Sequence, residues 1–139
     1  CHSGINHDSN EIHKDQRIQM DNKKQKEYAE LSKDIATQMK SKLLKGELDN
    51  FGELLGKSWE IKKQYSSKIT SPYLDKIYKL ALDNGAIGGK LLGAGGGGYF
   101  LFYVPSFKKL DFIDFLSEKD LIVESFTFDN LGLRWWLTS

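Results

Sequence analysis

The sequence predicts an α+β domain in which helices cover one side of a small sheet. Two changes along its 139 residues support this prediction. In the first half apolar residues recur every three or four positions, the period of an amphipathic helix, and from residue 87 onward short apolar runs of strand length follow. Between these regions, residues 85–98 contain eight of the 13 glycines. One domain with a helical first half and a β-rich second half is the simplest prediction.

The overall composition excludes several classes of protein. It is 40% hydrophobic and 28% charged, whereas disordered tails and fibres have more extreme compositions. No apolar run approaches the ~20 residues of a membrane-spanning helix, so no membrane partner is expected. A formal net charge of +1 argues against a dedicated nucleic-acid binder, which is usually markedly basic. The single cysteine excludes an intrachain disulfide and fits a reducing, cytoplasmic compartment.

The first residue is Cys1 rather than a methionine, and three interpretations are open. The chain is cut from a longer protein, it is a lipoprotein acylated at Cys1, or it carries an N-terminal cysteine nucleophile. We favour the first, because Cys1 to Gly4 read like the end of a strand that begins earlier. A nucleophile would also need a base and an oxyanion hole, and the sequence supplies neither at a recognisable spacing.

Helix signals occur five times along the chain. Each segment carries apolar residues at spacings of three and four or opens on a capping residue, and glycine ends two of the segments. The predicted helices are a short one from Asp8 to about Met20, a long one over Asn22–Lys45, a third over Asp49–Tyr65, a fourth that Ser71 and Pro72 start and Gly85 stops, and a fifth that opens at Pro105 and Ser106.

The apolar stripes of the last four helices define the expected helical part of the core. A stripe on one side of a helix is buried when that side faces a sheet or another helix. The residues expected to be buried are Tyr28, Leu31, Ile35, Met39 and Leu43, then Phe51, Leu54, Leu55, Ser58 and Trp59, then Leu74, Ile77, Tyr78 and Ala81, and finally Phe107, Leu110, Ile113 and Leu116.

Four apolar runs of strand length are present in the second half. They cover Ile87–Leu92, Tyr99–Val104, Leu121–Phe128 and Leu131–Leu137, with Asp129-Asn130 as the turn between the last two. If a truncated strand precedes Gly4, the order of elements becomes that of a split βαβ, ferredoxin-like sandwich with an inserted helical region.

Residues 88–98, with the sequence GGKLLGAGGGG, are the most unusual feature. They contain a G-x-G-x-x-G pattern, but the dinucleotide-binding fingerprint leads into a helix, whereas a strand is predicted from Tyr99. A Walker A loop needs Ser or Thr after the lysine, and Leu91 stands there. Two interpretations remain open: a flexible hairpin tip, or a surface against which a second backbone or a ligand packs closely, because glycine lacks a Cβ and accepts positive φ.

The segment GKLLGAGGGGY, residues 89–99, resembles the third conserved motif of the GHMP kinases. Residues 54–63 (LLGKSWEIKK), 69–71 and 75–78 are similar to the sugar-phosphate branch of that superfamily, so the resemblance covers nearly the whole chain. It implies that the chain is the C-terminal, ferredoxin-like domain of a two-domain kinase. The implied substrate is a sugar or sugar phosphate, most closely heptose 7-phosphate.

The resemblance also implies which parts of the kinase lie elsewhere. ATP and Mg²⁺ are implied to be held mainly by an N-terminal domain that is absent from this chain, so no catalytic or metal-ligating residue is expected here. The chain alone is expected to be inactive. The loop residues are implied to pack against the phosphate-binding loop of the absent domain and to shape the nucleotide site; they are Gly93, Ala94, Gly95, Gly96, Gly97 and Gly98.

Five further residues are candidates for substrate binding. Lys90 either neutralises phosphate charge or covers the sheet face, and Lys62 and Lys63 either meet a substrate phosphate across a cleft or form a solvated helix face. Ser3 and Gly4 are implied by the resemblance to lie beside the sugar site.

Other functions remain as alternatives. The same strand order suits a non-catalytic ferredoxin-like module that binds a small molecule or a protein. An RRM-type nucleic-acid binder would stack bases on strand aromatics, but the near-neutral charge argues against it. Metal binding is not expected, because a zinc site needs at least three well-placed ligands. The residues concerned are Tyr99, Phe100, Phe102 and Tyr103 for stacking, and His2, His7 and His13 for a metal. Trp135 and Trp136 alternate faces of the last strand, so one is expected to pack under the helices and the other to meet the absent domain.

Overall fold

The computed structural model describes residues 1–5 and 23–127 of the chain. Within these ranges no helix is both long enough and apolar enough to cross a bilayer. The elements are the helices α1 (Lys23–Leu44), α2 (Leu48–Lys63), α3 (Pro72–Asp83) and α4 (Lys109–Ser117), the strands β1 (Gly88–Leu91) and β2 (Phe100–Tyr103), and a 3₁₀ turn (Ser106–Lys108).

Several predictions from the sequence lie outside the described residues. These are the short helix from Asp8 to Met20, the last strand with its preceding turn, and the side chains of His7, His13, Trp135 and Trp136.

The helices α1 and α2, both predicted from the sequence, form an antiparallel hairpin. Gly46 makes the turn at φ +72°, a backbone conformation that glycine adopts without steric cost. At the open end, the amide of Gln25 donates a 3.2 Å hydrogen bond to the carbonyl of Gln64. α1 therefore packs mainly on α2 and has no broad contact with the sheet.

The predicted apolar stripe of α1 is only partly buried. Ile35 is buried, but Leu31 and Leu43 are each 47% exposed, so the predicted burial of these two leucines is wrong. The physical reason is that α1 packs mainly on one helix, and a single helix covers a narrower face than a sheet does.

The core lies between one face of the sheet and the helices α3 and α4, with Trp59 of α2 at its centre. Phe100 and Phe102 stack with ring centroids 5.3 Å apart, and Trp59 meets Phe100 edge-on at 5.9 Å. The predicted faces of α2 and α3 are confirmed, because their buried residues include Leu54, Leu55, Trp59, Leu74, Ile77 and Ala81.

The start of α3 is set by a side-chain cap. The hydroxyl of Ser71 accepts a 3.3 Å hydrogen bond from the amide of Leu74, and Pro72 occupies the first turn. This bond satisfies one of the amides that a helix start leaves without a partner, and it confirms the start predicted from the Ser-Pro pair.

The buried face of the last helix differs from the predicted one. A 3₁₀ turn covers Ser106–Lys108 and α4 begins only at Lys109. Phe112 and Leu116 are buried, whereas Phe107 and Leu110 are 80% and 75% exposed. The predicted burial of Phe107 and Leu110 is wrong. Phe107 lies in the 3₁₀ turn before α4, and Leu110, two residues from Phe112, faces nearly the opposite side of α4 at about 100° per residue.

The backbone segments beside β2 lie in the order of a ferredoxin-like domain, although only β1 and β2 form a regular sheet among the described residues. β1 and β2 are antiparallel neighbours, residues 1–3 run antiparallel along the other side of β2 through the pair His2 and Tyr99, and the amide of His2 donates to the carbonyl of Ile122 at 2.8 Å. The spatial order is thus the segment around Ile122, residues 1–3, β2 and β1. The α+β, split βαβ class is confirmed.

The predicted strand Leu121–Phe128 is not formed over its described residues, 121–127. Ile122 and Phe126 are 61% and 64% exposed. Within the described part of the chain this segment shares one backbone hydrogen bond with its neighbour, residues 1–3, and one bond does not make a ladder.

Close contact between α2 and β1 depends on two glycines. A Cβ on Gly88 would lie 2.0 Å from the carbonyl oxygen of Gly52. The two backbones therefore touch where any side chain on β1 would force them apart. This contact aligns the helix with the strand and brings the last turn of α2 beside the glycine-rich loop.

The substitution Gly88→Ala is expected to lower the free energy of unfolding by about 2 kcal/mol or more, the range of overpacking in a core. Gly56→Ala is the matched control, because its Cβ would meet the flexible end of the Tyr78 side chain at 3.1 Å and Cα of Gly88 at an ordinary van der Waals distance of 3.6 Å. Alanine also favours a helix interior by about 1 kcal/mol. Urea unfolding measures both. Equal effects of the two substitutions would contradict the backbone contact.

The register of α4 can be tested with one substitution at two positions. Leu116→Ala is expected to cost about 2–5 kcal/mol of stability because it empties a fully buried site, whereas the exposed Leu110→Ala is expected to cost less than about 0.5 kcal/mol. Thermal or urea unfolding of the two variants is the measurement. A larger loss at Leu110 would show that the sequence-predicted face, not the observed one, is buried.

Candidate functional site

The glycine-rich loop, residues 92–98, connects β1 to β2. The amide of Leu92 donates to the carbonyl of Tyr99 at 2.8 Å and closes the base of the loop. Because β2 follows it directly, the loop does not lead into a helix, and the exclusion of a dinucleotide fingerprint is confirmed. Positive φ values at Gly93, Gly95, Gly96 and Gly98 explain why glycine stands at these positions.

The middle of the loop is packed against two other segments of the chain. The amide of Gly96 donates to the carbonyl of Ile69 at 2.8 Å, and the amide of Gly98 donates to the carbonyl of Ile5 at 2.9 Å. A Cβ on Gly95 would lie 2.9 Å from Cα of Ile69.

The other side of the loop is equally close-packed. A Cβ on Gly97 would lie 2.6 Å from the carbonyl oxygen of Ile5. The loop is therefore not a flexible hairpin tip, and the prediction that a second backbone packs closely against it is confirmed. The backbones that do so belong to this chain itself.

Part of the loop offers unused hydrogen-bond donors. Within residues 1–5 and 23–127, the amides of Gly93, Ala94, Gly95 and Gly97 have no acceptor. No atom lies within 4 Å of the position that a Cβ would take on Gly93, so this end of the loop is open. Neighbouring free amides in a turn of this kind suit an anion.

Lys62, near the end of α2, reaches the base of the loop. Its Nζ donates to the carbonyl oxygens of Leu91 at 2.8 Å and of Gly93 at 2.6 Å. Burial, and then the positive charge of Lys90, lowers the pKa of Lys62 to about 8. The residue is still mostly charged at neutral pH, so it places a cation directly beneath the loop.

Lys90 of β1 lies in the seam, the narrow interface between α2 and β1. Its Nζ donates to the hydroxyl of Ser58 at 2.9 Å, and burial lowers its pKa. Gly88 and Lys90 face α2, while Gly89 and Leu91 face the core, as alternation along a strand requires. Lys90 is thus held against the helix by a neutral partner, and no ion pair with an acidic side chain of the described residues offsets its charge.

The remaining predicted residues are placed differently. Lys63 forms an ion pair with Glu60 at 2.8 Å and lies over the Trp59 ring, so the structure does not bring its ammonium group to the loop. Ser3 is buried, and its amide donates to the carbonyl of Gly98 at 2.8 Å. Gly4, the next residue, is exposed. The structure therefore brings Lys62 and Ser3 to the loop. Lys90 lies close enough to Lys62 to lower its pKa but bonds to Ser58 of α2, and Gly4 only follows Ser3 in the chain.

Sequence reasoning missed the residues that immobilise the loop. Ile5 and Ile69 act through their backbone carbonyls, and no sequence signal marks such a role, because every residue type carries the same carbonyl. Ser58 lies in a segment that was singled out, but its bond to Lys90 depends on the alignment of α2 with β1.

The geometry argues against the RRM-type alternative, whereas two of the three histidines of the metal alternative, His7 and His13, lie outside the described residues. Phe100 is buried and stacked on Phe102, so it cannot stack on a nucleobase as an RRM-type sheet requires. Within the described ranges no three His, Cys, Asp or Glu side chains come together as a metal site would need. His2 instead accepts a hydrogen bond from the amide of Gly4 and packs on Tyr99.

Comparison with curated proteins shows two related kinases. D-glycero-alpha-D-manno-heptose 7-phosphate kinase of Campylobacter jejuni is 34% identical over 134 residues, which is 96% of this chain and 40% of the relative. L-fucokinase/L-fucose-1-P guanylyltransferase of Bacteroides fragilis is 41% identical over 64 residues, 46% of this chain and 7% of the relative. The chain thus spans less than half the length of the curated relatives it matches.

A solved structure and a family model agree on the kind of domain. L. major mevalonate kinase in complex with R-mevalonate superposes on 85% of this chain, and 36% of that protein, with a TM-score of 0.75 and 23% identity; this likeness shows the fold. The family model described as GHMP kinases C terminal matches residues 39–113, more than half of the chain. The chain belongs to the GHMP kinases, as a member of their C-terminal domain family.

Proposed function

We propose that this chain is the C-terminal domain of an ATP-dependent kinase that phosphorylates a sugar phosphate, with heptose 7-phosphate as the substrate. The observation that carries the proposal is the loop itself, which presents free amides beside the ammonium group of Lys62, with the ammonium group of Lys90 close to that of Lys62. The Campylobacter relative, 34% identical over nearly the whole chain, supports the substrate class.

The chemistry of phosphoryl transfer suits such a site. The protein has little covalent work to do, and catalysis consists mainly of positioning phosphates and neutralising their charge. The free amides of residues 93–95 and the ammonium group of Lys90 would contact phosphate oxygens. Ser3 and Gly4, at the other edge of the loop, would border the sugar. Lys63 would contribute less to phosphate binding, because its ammonium group is paired with Glu60.

The remaining parts of the kinase are assigned to a second domain. ATP would supply the phosphoryl group, and Mg²⁺ would neutralise its charge in the transition state. Because no cluster of metal-ligating side chains occurs in the described part of this chain, we assign the Mg²⁺ ligands, the main ATP contacts and the catalytic residues to an N-terminal domain. Such a domain fits the relatives' greater length. The cytoplasmic location stays a prediction.

The decisive experiment uses the longer protein that the proposal requires. With MgATP it is expected to phosphorylate heptose 7-phosphate in preference to hexose phosphates, fucose and mevalonate, measured by mass spectrometry of the product. Calorimetry of the 139-residue chain alone should show weak or no ATP binding. If the longer protein neither transfers phosphate to any of these compounds nor binds ATP, the non-catalytic module becomes the better interpretation.

Lys90→Met tests the contribution of this chain to phosphate binding. It is expected to lower kcat/KM by about tenfold to a hundredfold, because a hydrogen bond to a charged group is worth about 1.5–3 kcal/mol. The free energy of unfolding should not fall, since burial already disfavours the ammonium form of Lys90. The control is Lys76→Met, an exposed lysine of α3. Unchanged kcat/KM in the Lys90 variant would show that Lys90 does not bind phosphate.

A further inference from the structure

Lys62 is the one side chain that holds the base of the glycine-rich loop within the described residues. Its Nζ binds the carbonyl oxygens of Leu91 and Gly93, the last residue of β1 and the first glycine of the loop. Leu92 lies between these two residues and donates its own amide to Tyr99. The ammonium group therefore joins the strand end and the loop start from the side of α2.

The geometry of the peptide bond links this contact to the open face of the loop. In a planar trans peptide the C=O and the following N–H point in opposite directions, and the described chain contains no cis peptide bond. Because the Gly93 carbonyl points at Lys62, the Ala94 amide of the same peptide points away from it. That amide is one of the donors without an acceptor among the described residues. Lys62 thus sets the direction of a donor that it does not touch.

The electrostatics of Lys62 do not suit a residue kept for stability alone. Its pKa is about 8 in the fold and 10.5 in the unfolded chain, so the unfolded chain binds the proton more tightly. The charged Lys62 therefore reduces the free energy of unfolding below about pH 8, and this reduction is recovered as the pH rises toward 10.5.

No acidic group offsets the charge of Lys62 in the described structure. The charged group that acts on it is Lys90 of β1, a like charge. Glu60, two residues earlier on the same helix, is already paired with Lys63. The lysine is partly desolvated next to a like charge, a cost that a neutral side chain of similar length would avoid.

We propose that Lys62 is a positioning residue for phosphoryl transfer, which fixes the glycine-rich loop by its carbonyls so that the Ala94 amide is directed at a phosphate oxygen. This inference rests on the proposed kinase function. It assigns to Lys62 a role through the loop backbone rather than direct contact with the substrate phosphate.

The test compares three variants of the full kinase. Lys62→Met removes the ammonium and keeps the aliphatic length, Lys62→Arg keeps a charged donor, and Lys57→Met removes an exposed lysine from the same helix. Hydrogen exchange of the bonded loop amides of Leu92, Gly96 and Gly98 is measured for each variant, together with the free energy of unfolding and kcat and KM for ATP.

Lys62→Met is expected to speed exchange of the loop amides by about fivefold or more, since the local opening energy of the loop falls. At pH 7 its free energy of unfolding should stay at or above that of the wild type. Its kcat/KM should fall by about tenfold, equivalent to one lost positioning interaction. Lys62→Arg should restore most of the loop protection and most of kcat/KM, and Lys57→Met should behave like the wild type.

Two results would overturn the proposal. One is loop exchange that is unchanged in Lys62→Met. The other is faster exchange throughout the core together with a lower free energy of unfolding, which would mark a purely structural role. Failure of the proposed function is recognised separately, because then the wild-type protein itself transfers no phosphate, whatever the loop exchange shows.

Discussion

Contact between backbones at distances that exclude a Cβ is the constraint on which the rest of this structure depends. It occurs where β1 crosses α2 at Gly88 and Gly52, and again where the loop meets Ile69 and Ile5. Each contact removes freedom from a segment that glycine would otherwise make mobile. The loop is therefore held on both sides while its open end keeps free amides. Rigid donors of this kind bind an anion without a further ordering cost.

The two lysines at the seam between α2 and β1 follow from the same contact. Because Gly88 lets the helix approach the strand, the end of α2 lies close enough for Lys62 to reach the carbonyls of the loop. Lys90 then bonds to Ser58 across the seam. Both ammonium groups are disfavoured by burial. Proteins commonly keep such destabilising arrangements where activity requires them.

Local signals were sufficient for the helices and strands that carry their own markers. Ser71 and Pro72 set the start of α3, and the spacing of Leu54, Leu55 and Trp59 identified the buried face of α2. These predictions depend on interactions within a few residues, so sequence spacing captures them. The placement of the glycine-rich loop between two strands followed from the change of period on either side of it.

By itself the sequence determined the class of fold, the two helices on either side of Gly46, the strand–glycine–strand unit and the family resemblance, because each depends on residue type and spacing within a short segment. The tertiary structure alone decided which apolar residues are covered, as Leu31 and Leu110 show. It also decided which carbonyls hold the loop and where Lys62 and Lys63 point. The physical reason is that burial and hydrogen bonding depend on neighbours distant in sequence. In addition, every residue type carries the same backbone carbonyl, so residue type does not show which carbonyl accepts a bond.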